Sequence, residues 1–230
     1  MILKGGINNI ENGMTASLRA MHLQTAILSV YTQNAIGFDK IGYQRKEPVV
    51  SSFSEYIGTH GLSTAVDDTV GRITQSNNPL DLAITQKGYF QYLSNDGIEL
   101  SRDGRLKVTK DGELVSLNNN KILGTDGNPI RLPIMPEKLE DISIDKNGKV
   151  NIFSPKYNRN IYAGTVSVVS QDNVAVVNPD IKQGYTEYSN VALQQEFMGA
   201  LPLIKNFDAN RQMFLINSNN LSTAISKLSQ

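Results

Sequence analysis

The chain has 230 residues, of which 40% are hydrophobic, and 22 Lys and Arg balance 22 Asp and Glu. That length holds one large domain or two smaller ones. The zero net charge argues against the basic excess that a broad nucleic-acid or anionic-membrane footprint needs. The absence of cysteine excludes disulfides and thiolate chemistry.

Residues 1–13, MILKGGINNIENG, do not read as a secretory signal. Gly5, Gly6, Asn8 and Asn9 break the apolar stretch that such a signal requires. No run of about 18 apolar residues occurs, so no direct membrane insertion is expected. Leu3, Ile7, Ile10, Met14, Met21, Leu28 and Tyr31 follow an alternating four-three spacing, with Ser17 and Gln24 in the same series. That spacing predicts a helix with one apolar face. Gly37 and Gly42 mark its end.

From about Val49 to Ile181 the chain reads as β. Asp96-Gly97, Asp103-Gly104, Asp111-Gly112, Asp126-Gly127 and Asn147-Gly148 carry the signature of tight hairpin turns. Leu106 and Val108, Ile142 and Ile144, and Val150 and Ile152 alternate with polar neighbours, and residues 161–169 are rich in β-branched side chains. No helical pattern long enough for a parallel crossover lies between these segments. An antiparallel, strongly twisted β domain is predicted.

From about Glu187 the pattern turns helical again. Leu193, Phe197, Ala200, Ile204, Phe207, Arg211, Phe214, Ser218, Leu221, Ile225 and Leu228 form a heptad seam in which only Arg211 and Ser218 are polar. Ser189 or Asn190 is the expected N-cap. The helix would run about 60 Å at 1.5 Å per residue. Pro202 predicts a kink near residues 198–201, or two helical segments.

The fold class predicted is α+β. The N- and C-terminal helices pair as a coiled-coil-like packing domain of residues 1–45 and 185–230. The central β domain and its connector span residues 46–184. The seam serves either an intramolecular hairpin alone or packing between subunits as well. The packing positions are Leu3, Ile7, Ile10, Met14, Met21 and Leu28 on the first helix. On the second they are Leu193, Phe197, Ile204, Phe207, Phe214, Leu221, Ile225 and Leu228.

Chemistry-bearing patterns are sparse. Asp145-Lys146-Asn147-Gly148 resembles the start of a calcium loop, but its twelfth position is Lys156 rather than an acid. His22 and His60 lack metal-ligand spacing. Asp67-Asp68, and Glu137 with Glu140, read as surface carboxylates. No nucleophile elbow, phosphate loop or dinucleotide fingerprint occurs. No catalytic, cofactor-binding or metal residue is expected, and no cofactor. Gln44-Arg45-Lys46 reads as a solvated loop or as a contact for an acidic patch on a neighbour. A concave cluster at Tyr89, Phe90 and Tyr92 would instead mark a ligand-binding head on a helical stalk.

Residues 71–133 resemble the bacterial flagellar basal-body rod and hook family. The motif residues are Asn78, Pro79, Leu80, Asp81 and Leu82, then Gly88 and Phe90, then Arg102, Asp103 and Gly104. Ser189 and Asn190 stand where the family places a Ser-Asn before its last helix. Thr32-Gln33-Asn34 and Gly42-Tyr43-Gln44-Arg45 resemble the two ends of its N-terminal motif. The resemblance implies a structural subunit rather than an enzyme. It implies a hollow rod, with helices lining the inside and β domains facing out. It implies copies of itself and other flagellar rod or hook proteins as partners. Export would be by the flagellar type III apparatus, without a cleaved signal. The location implied is the basal body, outside the cytoplasm, and periplasmic where an outer membrane exists. The length favours a rod subunit, proximal or distal, over the longer hook protein.

Overall fold

The computed structural model describes the backbone of residues 2–50 and 62–228, and the side chains of 13–50 and 62–228. Leu3, Ile7, Ile10 and His60 therefore lie outside the described side chains. The chain forms two compact units. One comprises Met1–Ile36, Lys46–Val66 and Ala192–Gln230, the other Gly37–Arg45 and Asp67–Val191.

The helical unit contains α1 (Ile2–Gly37) and α2 (Leu193–Leu228), each 36 residues long. It also holds an antiparallel hairpin of β1 (Lys46–Val50) and β2 (Leu62–Val66). Pro48 sits in β1, which pairs with β2 alone, and such an edge strand tolerates the missing donor. The helices run in opposite directions in a constant register. A Cβ on Gly13 would meet Asn217, and one on Gly199 would meet the Tyr31 ring at 2.7 Å. Asn34 bonds Glu196. Eighteen residues forward along α1, from Gly13 to Tyr31, match eighteen back along α2, from Asn217 to Gly199. Gly199 is required at its position because any side chain there would displace the Tyr31 ring.

Pro202 does not divide the C-terminal helix, which is one element from Leu193 to Leu228. Pro202 lies on the exposed side, where water can serve the carbonyl of Met198 that loses its donor. The N-cap expectation is corrected. The helix begins at Leu193, and Ala192 O accepts from Gln195 N and Glu196 N. Ser189 and Asn190 lie upstream and do other work, described below.

The second unit is antiparallel throughout, so the α+β class holds. Its largest sheet has eight strands. Their backbone is β13 (Val168–Val169), β5 (Tyr89–Ser94), β9 (Lys121–Ile122), β8 (Leu114–Ser116), β7 (Gly104–Val108), β4 (Asp81–Ile84) and β14 (Ile181–Gln183), in that order. β6 (Gly97–Ser101) pairs with β5. A three-stranded sheet adds β10 (Ile142–Ile144), β11 (Lys149–Ser154) and β12 (Arg159–Thr165). β3 (Ile73–Gln75) pairs with β15 (Tyr185–Glu187). The alternating residues read from the sequence supply the core: Leu106, Ile142, Ile144, Val150 and Ile152 are all buried with Leu82, Ile84 and Phe90.

Four of the five predicted turn glycines have positive φ: Gly97 (+123°), Gly112 (+79°), Gly127 (+78°) and Gly148 (+85°). Asp103-Gly104 is different. The strands on either side of it, β6 and β7, do not pair. Gly104 instead presses against the main chain of β4, where a Cβ would come within 2.1 Å of Leu82 O.

Candidate functional site

The motif residues converge on one buried polar node in the β unit. Arg102 is 1% exposed and Glu187 3%. Arg102 Nε donates to both Glu187 carboxylate oxygens, at 2.8 and 2.7 Å, and its Nη2 lies 2.6 Å from Oε2. Nη1 donates to the carbonyls of Gln86 (3.0 Å) and Gly88 (2.7 Å), and Nη2 to that of Ile84 (2.9 Å). Glu187 Oε1 also accepts from Gly71 N at 2.9 Å, and Glu187 O from Gly42 N at 2.8 Å. A buried ion pair survives only when its remaining hydrogen-bonding capacity is met. Here the protein meets it, with main chain from both sides of the motif.

Asp103, beside it, binds Arg105 through both oxygens, at 2.9 and 2.6 Å. Its carbonyl accepts from Tyr92 Oη at 2.7 Å. Burial pushes the Tyr92 phenol far above its usual range. Gly42, at φ +71°, lies against this turn, and a Cβ there would sit 2.3 Å from Asp103 N.

Asn78 and Asp81 build the second half. Asp81 is 5% exposed and begins β4, which is buried along its whole length. Ser76 Oγ and Asn78 Nδ2 donate to its carboxylate at 2.5 and 2.8 Å. Asn78 Oδ1 accepts from Leu80 N. Pro79 O accepts from Gln183 Nε2, which also reaches Ile142 O. One amide thus ties the motif to β10.

Ser189 and Asn190 complete the arrangement. Asn190 Oδ1 accepts from Arg45 N at 2.7 Å. Its Nδ2 donates to Asp67 O (2.9 Å) and Thr69 O (3.1 Å). Ser189 N donates to Lys40 O and its Oγ accepts from Val191 N. These two residues therefore fasten together the segments that enter and leave this unit. Asp67 braces the same place by accepting from Thr69 N and Oγ1.

Every motif polar group described here is spent on the protein itself. Tyr89, Phe90 and Tyr92 are buried rather than concave and open. Tyr89 Oη bonds Gln44, and Phe90 meets Tyr92 edge-on at 6.5 Å. That cluster offers no ligand platform. Asp145 Oδ1 accepts from Asn147 N and Lys149 N, which is turn work. His22 is exposed on α1.

In the helical unit the packing positions divide. Met14, Met21, Leu28, Leu193, Phe207, Phe214 and Leu221 are half-buried. Phe197, Ile204, Ile225 and Leu228 are exposed, at 60%, 46%, 58% and 60%. The seam's two columns thus part company. Ala200, Phe207, Phe214 and Leu221 turn inward. The second inward column lies one residue earlier than the apolar one, at Glu196, Leu203, Asn210, Asn217 and Ala224. Its members are mostly polar or small, while the apolar column is left outside. Near its start, Asn34 is fully buried and bridges three elements. Its Nδ2 donates to Glu196 Oε2 and Lys46 O, both at 2.8 Å, and its Oδ1 accepts from Lys46 N at 2.9 Å.

Glu187, Glu196 and Gln183 escaped the sequence reading as functional positions. The one local signal was an acid, Glu196, set beside an apolar run.

Residues 83–152 match the family model described as the D1 domain of the flagellar hook protein FlgE/F/G. The flagellar basal-body rod protein FlgF of Rhizobium meliloti (strain 1021) is 25% identical over 233 aligned positions, covering 96% of this chain and 89% of the relative. The flagellar basal-body rod protein FlgG of Bacillus subtilis (strain 168) is 26% identical over 255, covering 92% of each. FlgF of Caulobacter vibrioides is 27% identical over 140, covering 54% of this chain and 55% of the relative. Both comparisons support the flagellar basal-body rod family, the family whose motifs the sequence resembles.

Proposed function

We propose that this chain is a structural subunit of the flagellar axis, a basal-body rod subunit that assembles with copies of itself and with related rod and hook proteins into a hollow tube. Its work on this reading is mechanical: helices pack along the axis, β units stiffen the wall, and the tube transmits torque and passes exported subunits. The observation that carries the reading is the set of apolar side chains that α2 leaves exposed. Phe197, Leu201, Ile204, Leu215, Ile216, Ile225 and Leu228 are each roughly half exposed or more. A full Leu, Ile or Phe burial stabilises by about 1.5–3 kcal/mol. A helix that leaves so many uncovered calls for neighbours. The relatives' names and the motif node supply the rest: the node is built to be rigid, with its polar groups turned inward. Export by the flagellar apparatus, and a position in the basal body outside the cytoplasm, belong to the same proposal. No helix among the described residues is long and apolar enough to cross a membrane.

Electron microscopy of the concentrated chain tests it. Tubes or helical oligomers are expected. A chain that stays monomeric up to its solubility limit would sink the reading.

A further inference from the structure

We propose that the bond between Asn34 and Glu196 is a rotational lock, which holds α2 with an apolar column turned away from α1 and so keeps that column free for neighbouring subunits; this rests on the axial-subunit reading above. The column that faces α1 carries Glu196, Asn210 and Asn217 with Leu203 and Ala224. The column beside it, one residue on, carries Phe197, Ile204 and Ile225, which are 60%, 46% and 58% exposed. An amphipathic helix ordinarily buries its more apolar side. Successive helical residues are about 100° apart, so a turn of α2 by about 50° would exchange one column for the other and keep Ala200, Phe207, Phe214 and Leu221 inward. Arg211, which would come inward with them, is long enough to carry its head back to water. Apolar burial alone therefore favours the turned helix, and a specific contact must hold the observed one.

Asn34 and Glu196 make that contact, at 0% and 1% exposure. Asn34 cannot follow Glu196 if α2 turns, because its amide is fixed from the other side. Its Nδ2 donates to Lys46 O and its Oδ1 accepts from Lys46 N. The second N–H of Nδ2 then points at Glu196 Oε2, 2.8 Å away. Turning α2 would break this bond and strand a buried donor. Gly199 admits the observed rotation, since a Cβ there would lie 2.7 Å from the Tyr31 ring. Buried polar groups can fix one helix packing against a more apolar alternative, at a cost in stability. Here the choice has a function. A helix pair that buried Phe197, Ile204 and Ile225 within one copy would have fewer apolar side chains to offer the next.

Disulfide trapping in the full chain tests the lock. The chain has no cysteine of its own. Gly13→Cys with Asn217→Cys reports the observed rotation, because a Cβ on Gly13 would lie 3.7 Å from Asn217 Cγ. In dilute protein the pair should cross-link in the otherwise wild-type chain and in Glu196→Gln, which keeps an oxygen for Asn34. In Glu196→Ala the cross-link should be lost while helical circular dichroism is unchanged. Without the cysteines, Glu196→Ala should self-associate at least about tenfold more weakly by sedimentation, the factor that burial of one such apolar side chain is worth. A cross-link that persists in Glu196→Ala would overturn the lock, whatever happens to association. So would a cross-link lost together with the helix signal, which is plain unfolding, or one lost with association unchanged. A Glu196→Gln variant that behaves like Glu196→Ala would overturn it as well. A wild-type chain that never associates would overturn the axial reading, and the cross-link would still judge the lock.

Discussion

Arg102 Nη2 lies 2.6 Å from Glu187 Oε2, and both side chains are almost wholly removed from solvent. The two residues are 85 positions apart. The pair joins the loop after β6 to β15, the last strand before the chain leaves this unit, so it ties the middle of the β unit to its end. The motif arginine is therefore explained by architecture: it is the residue that four main-chain and side-chain partners share.

Arg102→Met should cost about 3–5 kcal/mol, because it leaves Glu187 buried without its counter-charge. Adding Glu187→Leu should recover only part of that loss. Three carbonyls, at residues 84, 86 and 88, and the Gly71 amide would still lack their partners. Urea unfolding of the full chain measures both. Complete recovery in the double variant would mean that the carbonyl bonds contribute nothing.

Asp67 predicts an acid limb. Burial raises its pKa, but hydrogen bonds from Thr69 and the charges of Arg45 and Lys87 outweigh that and hold it below the ordinary 3.8. A folded pKa below the unfolded one stabilises above the unfolded value. That stability fades as pH falls through the folded one. Asp67→Asn should therefore flatten the loss of stability below about pH 4. Chemical denaturation between pH 5 and pH 3 reads the slope, and an unchanged slope would remove Asp67 from the account.

Much of the fold was legible because its signals are local. Alternation at Leu106, Ile142 and Val150 marks strands with one buried face, and Asp-Gly or Asn-Gly marks a turn wherever positive φ is needed. The exceptions have physical reasons. Asp103-Gly104 looks like a turn, yet its glycine serves a close main-chain approach to Leu82, which no neighbour in sequence reveals. The Ser189 hydroxyl is taken by Val191 N two residues on, and Asn190 has capping chemistry, but Arg45, Asp67 and Thr69 claim it across more than 120 residues. The same holds for Asn34 and Glu196, 162 residues apart. The seam showed that α2 is amphipathic. It did not show which flank α1 takes, because the pairing register is set by Gly199 under Tyr31 and by the Asn34–Glu196 bond.

Pro202 lies inside α2 and removes one helical donor. An interior proline costs about 3 kcal/mol relative to alanine in a helix, less where water serves the freed carbonyl. Pro202→Ala should therefore raise the stability of the helical unit by about 1–3 kcal/mol. Thermal melts followed by helical circular dichroism measure it. An unchanged melt would mean that the helix accommodates the ring without cost.

The divided seam separates folding from assembly. Phe207 is half-buried in the groove against α1, whereas Phe197 is 60% exposed on the outward column. Phe207→Glu should destabilise the isolated helical unit, since it sets a charge among Leu28, Leu203 and Ile204. Phe197→Glu should leave unfolding within about 0.5 kcal/mol of wild type, as surface substitutions do. It should nevertheless block association, because in an assembly that charge would be buried against a neighbour. Thermal unfolding of dilute protein and sedimentation of concentrated protein read the two effects independently. If Phe197→Glu assembles normally, the outward column is not an interface, and the apolar side chains there need another explanation. If Phe207→Glu melts like wild type, the α1–α2 contact contributes little, and the helices gain their stability only in the assembled state.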